Sequence, residues 1–132
     1  MGPNEKALRD SYAAYLRGES VVDAFAENIF WTSVGAPNRI DTAGEWRGLD
    51  GVRQYYEALA AHWTLSDFSI EEVVGTHDRR FAVRIRVTAK SHTTDKSVTF
   101  EKIDFVSMTD GKITNYSEIY DTAPLIRAAR LG

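Results

Sequence analysis

An α+β fold, a curved antiparallel sheet wrapped over helices, is what three features of this sequence predict. Two stretches with apolar residues at helical spacing lie in the first half of the chain. Four consecutive runs rich in β-branched and aromatic residues, separated by short polar turns, follow them. The last two runs flank Thr109-Asp110-Gly111-Lys112, and an Asp-Gly pair between apolar runs is a tight-hairpin signal.

Each element has its own warrant. From Asn4 to Arg17, Leu8, Tyr12, Tyr15 and Leu16 recur at helical spacing, and Gly18 stands where a C-terminal cap belongs. Ser20-Val-Val-Asp23 has capping-box spacing and predicts a short helix through about Ala26. Ile29 to Val34 is a strand stopped by Gly35-Ala-Pro37. Ala36 to Arg47 is polar and aperiodic, a long loop suited to a pocket rim, with Trp46 near its end. Asp50 is the expected N-cap of a second long helix that buries Val52, Tyr55, Tyr56, Leu59 and Trp63. Phe68 to Val74 is a strand, and Phe81 to Ala89 alternates most cleanly. Phe100 to Asp121 forms the hairpin, and Pro124 opens a short terminal helix.

Composition bounds the function. The 132 residues are 43% hydrophobic, enough for one domain over 1–132 with its own core. A net charge of −3 with well-mixed signs gives no footprint for nucleic acid. Cysteine is absent, which excludes disulfides, thiolate metal sites and a cysteine nucleophile. No apolar run reaches membrane-spanning length and no signal-peptide core is seen, so a cytoplasmic protein without membrane contact is expected. The three histidines have neither i, i+4 spacing nor carboxylate partners, so no metal site is expected. No glycine-rich phosphate loop or nucleophile elbow appears, and no cofactor is implied.

The hairpin strands carry apolar residues at both parities, which predicts a sheet covered on both faces, one by helices and the other by a partner chain. Glu101, Ile103 and Phe105 are assigned inward, and Arg84, Arg86, Lys102 and Asp104 outward. Val106, Met108, Ile113 and Ile119 share the parity opposite the pocket candidates and are the expected homodimer surface.

Four stretches, in this order, resemble the nuclear transport factor 2-like superfamily, in its SnoaL-like polyketide cyclase and ketosteroid isomerase branch. They are Tyr12-Ala-Ala-Tyr-Leu-Arg-Gly-Glu19, Trp31-Thr-Ser-Val-Gly35, Arg47-Gly-Leu-Asp-Gly-Val-Arg-Gln-Tyr-Tyr56 and Asp110-Gly-Lys-Ile-Thr-Asn-Tyr-Ser-Glu-Ile-Tyr-Asp121. The resemblance implies a cystatin-like cone: a strongly curved antiparallel sheet around three N-terminal helices, a conical pocket and commonly a homodimer. It also implies a small hydrophobic, polyketide- or steroid-like ligand handled by isomerase, cyclase or hydratase/hydrolase chemistry, with a non-catalytic ligand-binding or dimeric interaction domain of the same fold as the alternative. The isomerase base position falls at Thr32, and the oxyanion-hole tyrosine near Ser11, with Tyr12 and Tyr15 close by. The protonated aspartate of those isomerases falls at Ile103. Asp104 is one residue off, hence on the other face unless a bulge shifts the register. Tyr116 and Glu118 match an aromatic–acid pair of limonene epoxide hydrolase-like proteins, whose partner acid is missing beside Arg84 and Arg86.

Glu118, between Tyr116 and Tyr120 on one strand face, is the candidate catalytic residue, because an acid against aromatic walls is poorly solvated and suited to general-base work. Tyr15, Thr32, Trp46, Tyr56, Tyr116 and Tyr120 are the candidate ligand-binding residues. A core tyrosine satisfied locally is the commoner state of such residues.

Overall fold

The computed structural model describes residues 1–130. Helix α1 (Pro3–Leu16) is followed by a single 3₁₀ turn at Val22–Ala24, strands β1 (Phe25–Ser33) and β2 (Gly44–Arg47), and helix α2 (Gly48–His62). Strands β3 (Trp63–Thr76), β4 (Arg80–Ser91), β5 (Ser97–Thr109) and β6 (Lys112–Tyr120) precede helix α3 (Ala123–Ala129). The strands form one sheet in the order β2-β1-β6-β5-β4-β3. Its inner face, α1 and α2 enclose the main core around Leu8, Ile29, Trp31, Val52, Val83 and Ile85.

The α+β cone is as expected, with four departures. The sheet is mixed, since β1 runs parallel to β6. Gly44–Arg47, expected in the loop, pairs with Phe30–Ser33 as a sixth strand. The helix expected over Ser20 to Ala26 is only the 3₁₀ turn, because β1 already begins at Phe25. Two α-helices therefore lie in the N-terminal half, and the third is α3 at the other end of the described chain. Asp50 lies in the first turn of α2, where it pairs with Arg53 at 2.8 Å, and the N-cap is Arg47.

Local chemistry anchors α1. Gly18 adopts φ 76°, and its amide bonds Tyr15 O while the Glu19 amide bonds Ala14 O, a Schellman ending. The other end is capped from a distance: both Asp78 carboxylate oxygens accept backbone N–H groups, from Asn4 and Glu5, at 3.0 Å. Asn4 Oδ1 in turn accepts the Gly111 N–H at 2.7 Å. The β3–β4 and β5–β6 turns thus both hold the helix that carries Tyr12 and Tyr15.

The β5–β6 hairpin decides what faces inward. Asp110 and Gly111 have φ 51° and 77°, a turn with both central residues left-handed. Met108 pairs with Ile113, yet Ser107 pairs with Asn115, so Thr114 is an extra residue in a β-bulge. That one residue turns the rest of β6 over. Ile113 faces inward before the bulge, and Tyr116, Glu118 and Tyr120 face inward after it. Asp104 then stands opposite Glu118, and Lys102 opposite Tyr120.

This register corrects the inward and outward assignments on β5. Lys102 and Asp104 face in, whereas Ile103 and Phe105 are 38% and 48% exposed and Glu101 is exposed beside them. Three residues of the expected dimer surface, Val106, Met108 and Ile113, are buried in the chain's own core, and only Ile119, at 47% exposure, remains outside. Arg84 lies on the outer face as expected, within 3.3 Å of Glu101 and 3.6 Å of Glu72, and Arg86 is exposed. No helix among the described residues is long and apolar enough to cross a membrane.

Candidate functional site

Between the inner sheet face and helices α1 and α2 lies an interior cavity of about 70 Å³. All six tyrosines of the chain line it: Tyr12 and Tyr15 from α1, Tyr55 and Tyr56 from α2, Tyr116 and Tyr120 from β6. Among the described residues, its only charged wall residues are Lys102 and Glu118. A second, outer cavity of about 610 Å³ shares Tyr15, Val21, Tyr56, Leu59, Trp63 and Leu65 with it and carries Glu19, Arg53 and Glu57. The inner chamber thus abuts a larger vestibule.

The polar end of the chamber is a three-charge cluster. Lys102 Nζ lies 3.1 Å from Glu118 Oε2 and 3.2 Å from Asp104 Oδ1. The Lys102 side chain is 11% exposed and that of Asp104 is 0% exposed, so these are desolvated ion pairs. Each carboxylate is further held by hydroxyl donors. Tyr55 donates to Glu118 Oε2 at 2.7 Å, and Ser33 donates to Oε1 at 3.1 Å. Tyr12 donates to Asp104 Oδ2 at 2.7 Å, and Tyr116 donates to the same oxygen. Among the described residues, Asp104 Oδ1 has no aligned hydrogen bond despite the nearby ammonium, and the buried Trp31 Nε1 has no partner either. Trp31 is stacked on Tyr116 with ring centroids 4.1 Å apart and leans on Tyr55 at 4.2 Å, which walls off the cluster from that side.

Electrostatics follow from this burial. Burial raises the Asp104 carboxyl above its ordinary range; Lys102 opposes the rise and Glu118 adds to it. Burial works against the Lys102 charge, but the two carboxylates beside it overcome that cost and raise its pKa. The two directions are compatible: two acids share one ammonium, and the fully enclosed acid is the one short of stabilisation. Burial also raises the pKa of every tyrosine in the chain. The next contribution is Asp104 for Tyr12 and Tyr116, and Glu118 for Tyr55. Tyr15 and Tyr56 rise as well, and Tyr120 is pushed up to about 12 by burial and Glu118. The tyrosines are therefore neutral hydroxyl donors at neutral pH.

Of the residues singled out in sequence, Glu118, Tyr15, Tyr56, Tyr116 and Tyr120 come together at this cavity. Thr32 does not: it sits on the outer face, its hydroxyl donating to Ser117 Oγ at 3.0 Å. Trp46 does not line the chamber; its Nε1 donates to Thr42 O at 3.0 Å and its ring meets Tyr55 edge-on. Among the described residues, no histidine lines the chamber and no group of three His, Cys, Asp or Glu is placed to hold a metal. Sequence reasoning missed Lys102 and Asp104, which it placed outside. The available signal was their shared parity with Val106 and Met108 farther along β5.

In sequence, the SnoaL-like domain family matches residues 8–116. No curated protein matches the chain. Among solved structures, a nuclear transport factor 2-like protein of unknown function from Burkholderia pseudomallei is 21% identical, over 99% of this chain and 100% of that one, with a TM-score of 0.88. TerC, co-crystallised with polyporic acid, is 17% identical over 97% and 98%, with a TM-score of 0.84. A Rhodopseudomonas palustris protein provisionally named an isomerase is 18% identical over 98% and 96%, with a TM-score of 0.80. At such identities the likeness to these structures is one of fold.

Proposed function

This chain belongs to the SnoaL-like domain family, and we propose that it is a cofactor-independent acid/base enzyme for a hydrophobic, oxygenated small molecule, of isomerase, cyclase or hydratase type. One observation carries the reading: among the described residues, Glu118 and Lys102, 3.1 Å apart, are the only charged groups on a buried chamber whose other walls are mostly aromatic and apolar, with Ser11 and Thr42 the remaining polar side chains besides the tyrosines. Burying such charges is costly, and a core built for stability alone does better with apolar residues. A carboxylate at the wall of a water-poor cavity is placed to take or give a proton, and neutral tyrosine hydroxyls are placed to orient the substrate oxygen.

Size refines the ligand. A chamber of about 70 Å³ takes only the reacting end of a polyketide- or steroid-like molecule, with the bulk in the vestibule of about 610 Å³. TerC with its polyporic acid is a precedent for a small organic ligand on this fold.

A second reading, a binder without turnover, has its own support. Glu118 already receives hydrogen bonds from Ser33, Tyr55 and Lys102, as a purely structural carboxylate does. Glu118→Gln separates the two, using ketones, epoxides and polyketide-like aromatics first screened for thermal stabilisation. For an enzyme, turnover falls by about 10² to 10⁴ with affinity little changed. A Gln variant that turns over every hit as fast as wild type removes Glu118 from the mechanism.

The expected homodimer moves to a different set of residues. Ile103 and Ile119 oppose one another on the outer face next to Phe105, an exposed apolar row beside Arg84 and Glu101 that suits a second copy of the chain. Sedimentation at micromolar concentration is expected to show twice the 14.8 kDa chain mass, and a purely 14.8 kDa species contradicts it.

A further inference from the structure

We propose that the outer vestibule is an amine site: the tail of the ligand that it holds ends in a protonated amine, seated against Glu57 and the rings of Tyr15, Tyr56 and Trp63. The inference rests on the reading above only in placing the bulk of the ligand in the vestibule. Arg53, Tyr56, Glu57 and Ala60 follow one another at i, i+3, i+4 and i+7, so one face of α2 turns all four to this cavity. Arg53 could answer Glu57 at that spacing, but its guanidinium is on Asp50 at 2.8 Å. Glu19, the other acid on the wall, is held by Arg17. Among the described residues, Glu57 is therefore the one charge of the vestibule without a partner.

Two further features favour the same sign of ligand charge. Both long helices end at this cavity: Tyr15 and Gly18 come from the C-terminal end of α1, Leu59 and Ala60 from the last turn of α2. A helix C-terminus carries partial negative charge on its unpaired carbonyls and favours a nearby cation. His62, the basic residue of that last turn, lies 3.4 Å from Asp41 and does not line the vestibule. The walls are aromatic as well. Tyr15 and Tyr56 stand with ring centroids 5.5 Å apart, and Trp63 follows directly on α2. The face of an aromatic ring attracts an ammonium, Trp most strongly. The chamber behind does not oppose this, because its one ammonium, Lys102, already lies between Asp104 and Glu118. A cavity of about 610 Å³ has room for an amine together with the hydrocarbon that carries it. A carboxylate or phosphate tail would meet an unpaired acid, two negative helix ends and the same ring faces.

The test is an NMR titration of ¹⁵N-labelled protein, at neutral pH and low salt, with 4-phenylbutylamine, 4-phenylbutan-1-ol and 4-phenylbutanoate. These share one scaffold and differ in a cationic, a neutral and an anionic end. The amine is expected to bind about 10-fold tighter than the alcohol and the acid weakest, with the largest amide shifts at the C-terminal ends of α1 and α2. Half-molar salt is expected to narrow the gap between amine and alcohol to about 3-fold or less. Glu57→Gln is expected to cost the amine about 3- to 5-fold and leave the alcohol unchanged, and Glu57→Lys to make the acid bind better than the amine. Glu57 is exposed, so both variants are expected to fold as the wild type does. An amine that binds no tighter than the alcohol overturns the assignment, as does an amine preference that survives in Glu57→Lys, or shifts confined to another surface. Failure of all three probes to bind at millimolar concentration overturns the vestibule as a ligand site as well. None of these results touches Glu118. Turnover kept in Glu118→Gln removes the acid/base reading and leaves an amine preference that depends on Glu57 standing.

Discussion

The two faces of strand β5 carry the same chemistry at opposite cost. On the outer face, Glu101 pairs with Arg84 at 3.3 Å, with side chains 59% and 42% exposed. On the inner face, Lys102 pairs with Asp104 at 3.2 Å, with side chains 11% and 0% exposed. Water solvates the outer pair whether or not it forms, so it adds little. The inner pair has lost its water and is tolerable only because hydroxyls replace it: Tyr12 and Tyr116 on Asp104, Tyr55 and Ser33 on Glu118. The proposed acid/base role supplies a reason to keep charges whose burial costs so much.

The difference between the faces can be broken, and the largest effect is expected at alkaline pH. All six tyrosines line the inner chamber, and each has its pKa raised by burial above the ordinary value of about 10. Above pH about 10 the unfolded chain releases phenolic protons that the folded chain keeps. Their contribution is therefore complete below that pH and is lost as pH rises through the folded values, at about 1.4 kcal/mol per pH unit for each tyrosine. Lys102, also raised, acts in the same direction. Phenolate absorbance is expected to appear steeply and together with loss of helix. Six tyrosines titrating gradually near pH 10 with the fold intact would contradict this.

Removing the shared cation is next in size. Lys102→Met leaves Asp104 and Glu118 buried without it and is expected to cost about 3–5 kcal/mol in urea unfolding, against under ~1 kcal/mol for Arg84→Met on the outer face. Equal costs would erase the distinction between the faces. Tyr116→Phe removes one donor to Asp104 and the contact with Tyr12 while keeping the ring stack on Trp31, so about 1–3 kcal/mol is expected. Thr32→Val, on the outer face, is expected to change both stability and ligand binding the least, within about 0.5 kcal/mol.

The same comparison explains what was legible in the sequence. Strand β4 alternates cleanly, and its inner residues Phe81, Val83, Ile85, Val87 and Ala89 are buried as read. Strand β5 does not alternate. Ile103 and Phe105 look like core and are exposed, while Lys102 and Asp104 look like surface and are buried. A charge pair reads as solvated because the groups that pay its desolvation, Tyr12 and Tyr116, lie far away in sequence or across a turn. Thr114, the bulge residue, carries no compositional mark, yet it decides the register that sets Asp104 opposite Glu118. The short strand β2 was hidden for a related reason, since four residues at a sheet edge cannot establish a period. The clustering of tyrosines was visible only as separate candidates on α1, α2 and β6; the fold makes them one wall.

The most direct test of the central claim, that the inner cluster serves chemistry rather than stability, needs no substrate to begin. Lys102→Met, Asp104→Asn and Glu118→Gln together replace all three charges with neutral side chains of similar shape. Chemical unfolding of this triple variant is expected to give a stability equal to or above that of the wild type, because the desolvation cost disappears along with the ion pairs. Turnover or binding of any ligand found for the wild type is expected to vanish. A triple variant several kcal/mol less stable than wild type would show that the charges hold the fold together, and would contradict the account.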